Sequence, residues 1–365
     1  SFPSSFSPCG RRVFSERIEA LTDASAVSAA DLFDPPAVRV QRRTASSIVA
    51  AVVSLAALGG IASMPLWATQ GQIRDVVELC CYIAVAQMWN LLAGYAGIVS
   101  VGQQAFVGVA AYALFIMAQL WGLNPFVAVV LAMIAPVLLA IPTYGLLHRL
   151  DGPYFAIGTW VIAEVMRLAT SVFGYVNAGA GMSLRVMASY SATERAVGVS
   201  ILCALMLLVT VGGSYWLLRS RYGLALIALR DNPVAAASQG VAVGRLRFLI
   251  WVAAAAGTGL AGAIYFMAQL RITPPSAYDP NWANIAIFIV MVGGLGSLEG
   301  VIIGALIYFF ADRWFGEYGA TYLVVLGLLT LFMALFARGG IWGLICRRVD
   351  APWFPTRRIL VEDKR

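Results

Sequence analysis

The chain has 365 residues, 61% of them hydrophobic and only 12% charged, with a mean hydropathy of +0.82. A water-soluble globule carries about 25% charged residues, so the composition excludes an ordinary soluble domain and describes a protein that lives in a bilayer. The formal charge of +7 comes almost wholly from arginine, 24 of 25 basic residues; these are not clustered with aromatics on a soluble module, which fits membrane orientation and excludes nucleic-acid binding.

Residues 1–46 hold six arginines and five acids with no apolar run, neither a signal peptide nor a transit peptide. They are expected to form a cytoplasmic extension, mostly disordered, with a short helix near Arg11 to Leu21. Apolar runs long enough to cross about 30 Å of hydrocarbon need roughly 20 residues. They fall at Ser47 to Ala68, Arg74 to Leu92, Ile98 to Leu120, Phe126 to Leu147, Tyr154 to Gly174, Ser200 to Leu218, Leu249 to Leu270 and Tyr322 to Ala337. The run from Asn281 to Phe310 is too long for one span and is cut by GGLGSLEG, which predicts a hairpin of two short helices with a tight turn at Gly293, Gly294, Gly296 and Ser297.

Positive residues concentrate in cytoplasmic loops. With the hairpin, both termini share a side with the loop 219–248, and that side collects 19 of 25 basic residues. The expectation is an all-α polytopic bundle of about ten crossing segments including the hairpin. Its membrane domain covers 47–338, and a cytoplasmic tail covers 339–365.

Within the loop, RYGLALIALRDNPVAAASQGV (residues 221–241) is longer than a simple connection requires. Leu224, Leu226, Ile227 and Leu229 describe a short amphipathic helix, Asp231 or Asn232 can cap a second helix opened by Pro233, and Gly240 ends it. Such a pair is either a rigid knob offered to a soluble partner or an interfacial helix on the lipid surface.

Glycines at Gly94, Gly97 and Gly102 interrupt an apolar stretch that also holds Asn90, Tyr95, Ser100, Gln103 and Gln104. Broken membrane segments of this kind line translocation paths or allow close helix packing. Glu164 and Arg167 share a helix face at i,i+3; ionisable groups within a span flank a path or pair with each other. The five cysteines, Cys9, Cys80, Cys81, Cys203 and Cys346, have no metal or redox spacing, and the single histidine, His148, makes no ligand cluster. No metal site is expected. No GxxxxGK[ST] occurs, and the sole lysine is Lys364, so the chain has no P-loop of its own. No span carries the groups of an enzyme active site.

Residues 221–248 resemble the cytoplasmic loop of the LivM-like permease subunits of branched-chain amino acid ABC importers. Three further blocks agree in order: NLLAGYAGIVSVGQQAFVGVAAY from Asn90, GPYFAIGTWVIAEVMRL from Gly152 and MVGGLGSLEGVIIGALI from Met291. The resemblance covers roughly 73–337. It implies that residues 221–241 are the coupling loop, with Gly223, Arg230, Asp231, Asn232, Ala235, Ala236 and Gly240 seated against an ATPase subunit. It also implies a second related permease, two ATP-binding cassette subunits that hold ATP and Mg, a periplasmic substrate-binding protein, and a place in the bacterial inner membrane. The family often has Glu where this chain has Ala237, and usually has His where it has Gln103. Small aliphatic amino acids are the implied substrates, with urea or short amides as an alternative and a stand-alone secondary transporter as another class.

Overall fold

The computed structural model describes residues 38–41, 45–337, 339–346 and 359–362; the helix expected near Arg11 to Leu21 lies outside them. Helices begin where the sequence supplies a cap. Thr69 and Gln72 form a capping box at the start of α2 (Gln70–Asn90), which follows α1 (Ala45–Ser63) and runs on into a π-helical turn, Leu91–Tyr95. After a buried irregular stretch come α3 (Gln103–Phe115, continued by a π turn to Leu120) and α4 (Pro125–Leu147), opened by Asn124 and Pro125. They are followed by α5 (Pro153–Val172) and α6 (Ala192–Arg219), the latter with a Ser191 and Glu194 capping box.

Two short helices, α7 (Arg221–Asp231) and α8 (Pro233–Ser238), precede the long α9 (Val243–Gln269). Then come α10 (Pro274–Ala277), α11 (Asn281–Gly293), α12 (Leu298–Phe315), α13 (Ala320–Phe336) and α14 (Gly340–Cys346). Strands are few and short among the described residues. β1 (Val38–Gln41) pairs antiparallel with β4 (Ile359–Glu362), and β2 (Met182–Ser183) with β3 (Arg271–Ile272). The extension expected to be mostly disordered therefore contributes one strand, held beside the C-terminal segment.

The all-α polytopic architecture is the one expected, and each of the ten expected segments, the two hairpin arms included, falls on a helix. Among the described residues, six helices are long and apolar enough to cross a membrane, or up to eight spans if each of two bent pairs counts as one. The GGLGSLEG hairpin is real: its two arms are bent by 117° at the turn. α1 gives way at Ser63 to a 3-10 turn containing Pro65. One expected start moved as well. The third span begins at Gln103 and not near Ile98, because residues 96–102 leave the helix.

At the centre stands α9, packed against α2, α3, α4 and α6. It does so through small residues, since lipid tails offer little hydrophobic gain for helix association and close backbone contact takes its place. A Cβ added at Gly262 would lie 2.7 Å from Val107 Cα and its carbonyl oxygen on α3. At one end of α9 a second apolar cluster forms around Trp251, whose ring meets Phe106 at 5.3 Å and Phe155 at 5.5 Å. Leu226 and Leu229 of α7 and Leu298 of α12 belong to that cluster. Gly262→Ala is expected to lower thermal stability of the detergent-purified protein by about 1–3 kcal/mol. Gly145→Ala, with nothing within 4 Å of the added carbon, is expected to be neutral or stabilising in the same melt.

Candidate functional site

The knob is built by local caps. Ser220 Oγ accepts from Tyr222 N at 3.1 Å to open α7, and Asn232 both ends α7 and caps α8, its Oδ1 accepting from Val234 N at 3.0 Å and Ala235 N at 3.1 Å. Pro233 occupies the first turn of α8, where its missing N–H costs nothing. Gly240 has φ +86° and open space around it, so it is required for the backbone turn. Of the other expected coupling residues, Arg230, Asp231, Asn232 and Ala235 are exposed, while Gly223 and Ala236 are buried. Gly223 lets α7 press against the Leu218 carbonyl, and Leu226 and Leu229 are at most 1% exposed. The knob is thus an exposed surface rooted in the apolar cluster, which favours a rigid projection over a helix floating on lipid.

Beneath it lies a junction between two breaks in the membrane helices. Asn90, wholly buried at the end of α2, accepts with Oδ1 from Gly296 N at 2.8 Å and donates from Nδ2 to Ser297 O at 3.1 Å. One side chain thereby satisfies a donor and an acceptor of the GGLGSLEG turn. Gly94, in the π-helical turn, brings its backbone against the same place: an added Cβ would lie 2.8 Å from Gly296 N and would collide with Asn90 Oδ1. On the other side of the turn, a Cβ at Gly296 would lie 2.5 Å from Arg230 Nη1. Arg230 of the knob therefore rests on the turn that Asn90 holds. Ser297 Oγ donates to Gly294 O at 2.7 Å, and Gly340 at the start of α14 packs on Gly294. Gly293 packs equally closely on Gly300 of α12, closing the hairpin.

Several backbone groups of the irregular residues 96–102 find partners, as buried backbone must. Ile98 N donates to Leu92 O at 3.0 Å, Trp89 Nε1 donates to Ser100 O at 2.7 Å, Val101 N donates to Thr159 Oγ1 at 3.0 Å, and Gly102 N donates to Ser100 Oγ at 3.3 Å. Gly102 also lets this strand of chain touch the Thr159 carbonyl of α5. Gly97 is exposed with φ +68°, while Tyr95 is buried. Gln103 is wholly buried and accepts from Thr258 Oγ1 at 3.0 Å, but its Nε2 has no hydrogen-bond partner among the described residues. Gln87 Nε2 and Gln104 Oε1 are buried in the same condition. Buried polar atoms are nearly always paired, so an interior with several orphaned amide atoms suits a polar solute or water better than a sealed apolar core.

Glu164 and Arg167 stand apart from this junction. They form a bidentate pair on α5, Nε to Oε2 at 2.9 Å and Nη2 to Oε1 at 2.5 Å, with side chains 41% and 31% exposed. They lie on an outward face of the least buried span and satisfy each other. Sequence reasoning missed Thr159, Thr258 and the contact of Arg230 with Gly296. The glycines and amides were visible, but nothing in a single sequence links positions 58 to 155 residues apart.

These features define a polytopic helical permease whose exposed helical knob is anchored on a broken membrane span. Residues 76–334 match the family described as branched-chain amino acid transport system / permease component, and the chain belongs to that family. It is 23% identical to the high-affinity branched-chain amino acid transport system permease protein LivM of Escherichia coli K12 over 307 residues, covering 76% of this chain and 71% of that protein. It is 24% identical to a probable branched-chain amino acid transport permease protein, LivH, of Methanocaldococcus jannaschii over 267 residues, covering 66% and 82%. Over a shorter stretch of 149 residues, 37% of this chain and 43% of the relative, it is 32% identical to the autoinducer 2 import system permease protein LsrC of Klebsiella pneumoniae. No solved structure matches it.

Two glycines separate space from backbone conformation as the reason for their presence. Gly94→Asn is expected to destabilise the purified protein by about 1–3 kcal/mol through overpacking. Gly97→Asn, which tolerates a positive φ and meets nothing within 4 Å, is expected to cost well under half of that in the same thermal melt.

Proposed function

We propose that this chain is the membrane-spanning subunit of an ATP-driven importer that carries small aliphatic amino acids, branched-chain ones first, across the bacterial inner membrane by alternating access. It works with a second related permease, two ATPase subunits that bind ATP and Mg, and a periplasmic binding protein that delivers the substrate. The relatives LivM and LivH, named for branched-chain amino acid transport, support the substrate class. Both termini lie in the cytoplasm: 19 of 25 basic residues fall on that side, and the β1 to β4 pairing keeps the two terminal segments together.

The observation that carries the reading is the contact of Arg230 with the Gly296 turn beneath an exposed helix pair. An engine pushing on α8 moves α7 with it, because Asn232 joins the two. From α7 the displacement passes through Arg230 to the turn and through Leu226 and Leu229 to the Trp251 cluster. The Asn90 bonds hand it on to the end of α2 and the glycine-broken segment beyond, where Asn90, Gly94, Tyr95, Gly97, Ser100, Gly102 and Gln103 border the path. Glu164 and Arg167 contribute an ion pair at the outer face of this chain, where a second permease subunit closes the path.

Copurification with ATPase subunits, and uptake that stops when their hydrolysis is blocked, test the class. Asn232→Ala removes a cap on two N–H groups, worth about 1 kcal/mol. It is expected to lower ATP-driven leucine uptake several-fold at unchanged membrane levels of the permease. Uptake by the purified chain without any ATPase would contradict the proposal.

A further inference from the structure

At the end of the bundle away from the knob, a cavity of about 570 Å³ opens between the last turn of α9 and the start of α11. The 27 residues of α9 separate the two ends by roughly 40 Å. One wall is aromatic: Trp282 meets Tyr265 edge-on at 4.8 Å and Tyr82 at 6.2 Å. Two opposite charges, Arg271 and Asp279, line the same cavity. Neither has an ion-pair partner among the described residues, and they do not pair with each other. Asp279 uses Oδ1 to accept from Asn281 N at 2.9 Å, which fixes the carboxylate at the start of α11. Arg271 is held on β3, whose partner strand places Ser183 beside it. Opposite charges usually close on each other when geometry allows; here both line an open cavity of the volume small-molecule sites have without forming an ion pair.

We propose that this vestibule binds a small zwitterion bearing an apolar side chain. A guanidinium matches a carboxylate with two parallel hydrogen bonds. Asp279 Oδ2 takes the ammonium, with Glu78, which accepts from Tyr82 at 2.7 Å, as a second acid nearby. The aliphatic part lies on the Tyr82, Tyr265 and Trp282 wall, whose rings also favour a cation above their faces. A molecule with one charge leaves the opposite group of the vestibule without a partner. The biological meaning rests on the amino-acid transport reading; the chemistry does not. An outward-facing vestibule of this kind receives solute at the outer mouth and selects for the paired charges before the path is entered.

The test is equilibrium binding of radiolabelled leucine to the full-length chain, with the subunits that copurify, in nanodiscs of phosphatidylglycerol and without any periplasmic binding protein. Arg271→Gln and Asp279→Asn are each expected to weaken binding about tenfold or more, the worth of roughly one charged contact. Asp279→Asn keeps the Oδ1 cap, and Arg271→Lys restores part of the affinity, so loss of folding is separable from loss of charge. 4-Methylpentanoate and 3-methylbutylamine, which each lack one charge, are expected to displace leucine at least tenfold more weakly than valine does.

Unchanged binding in both variants, or equal displacement by the single-charge analogues, overturns the proposal. So does complete loss of leucine binding when phosphatidylethanolamine replaces phosphatidylglycerol, which would assign the cavity to a lipid headgroup. ATP-driven leucine uptake that persists with any of these results leaves the transport reading standing and removes the vestibule site alone. Charge-selective leucine binding in a chain that associates with no ATPase does the reverse.

Discussion

Inside a bilayer every backbone N–H and C=O must find its partner within the protein, because no water is there to supply one. Two breaks from helical geometry, at residues 96–102 and at the turn 294–297, include buried and half-buried positions, and an unpaired buried group costs about 1–3 kcal/mol. Asn90 answers both demands of the turn with one amide, while Trp89, Ser100 and Thr159 cover the irregular stretch. The two breaks are thereby tied to one another, and neither can shift without the other paying in lost hydrogen bonds.

From that tie the rest of the architecture follows. The turn that Asn90 holds is also the surface on which Arg230 rests, and α7 is sunk by Leu226 and Leu229 into the same cluster that contains Leu298 of α12. A helix pair with only an exposed face would transmit little. This one is clamped at its root by apolar burial and at its side by a cation on a glycine. Packed interiors respond to small displacements by switching between arrangements and not by deforming smoothly, so on the proposed coupling a push on the knob would reach the broken segment as a discrete rearrangement. The orphaned amides of Gln87, Gln103 and Gln104 lie on elements adjoining that segment and give it a polar character that the surrounding helices lack.

Much of this was legible in the sequence, and the remainder was hidden for identifiable reasons. Length and hydropathy gave the helical bundle, Asn232 with Pro233 gave the two-helix knob, and the glycines of GGLGSLEG gave the hairpin, all because these signals are local in the chain. Hydropathy marked ten apolar segments, and each falls on a helix; the 117° bend between the hairpin arms had no such signal. The third span's start failed because Ile98 and Val99 read as helix interior, although the glycines around them hold the backbone out of it. Glu164 and Arg167 looked central by position along their span, yet their helix is the most open of the bundle, a property that depends on which neighbours pack against it. The Asn90 to Gly296 bond spans 206 residues and has no local signature at all.

At one end of the molecule two opposite charges line one cavity, and at the other two breaks are joined; on the function proposed above, solute is met at the first and force is received at the second. The central claim is that the Asn90 bonds carry movement from knob to path. The most direct measurement is leucine transported per ATP hydrolysed by the reconstituted transporter carrying Asn90→Ala. The account predicts that hydrolysis continues at near the normal rate while leucine uptake falls at least tenfold; equal uptake per ATP in the variant and the wild type would contradict it.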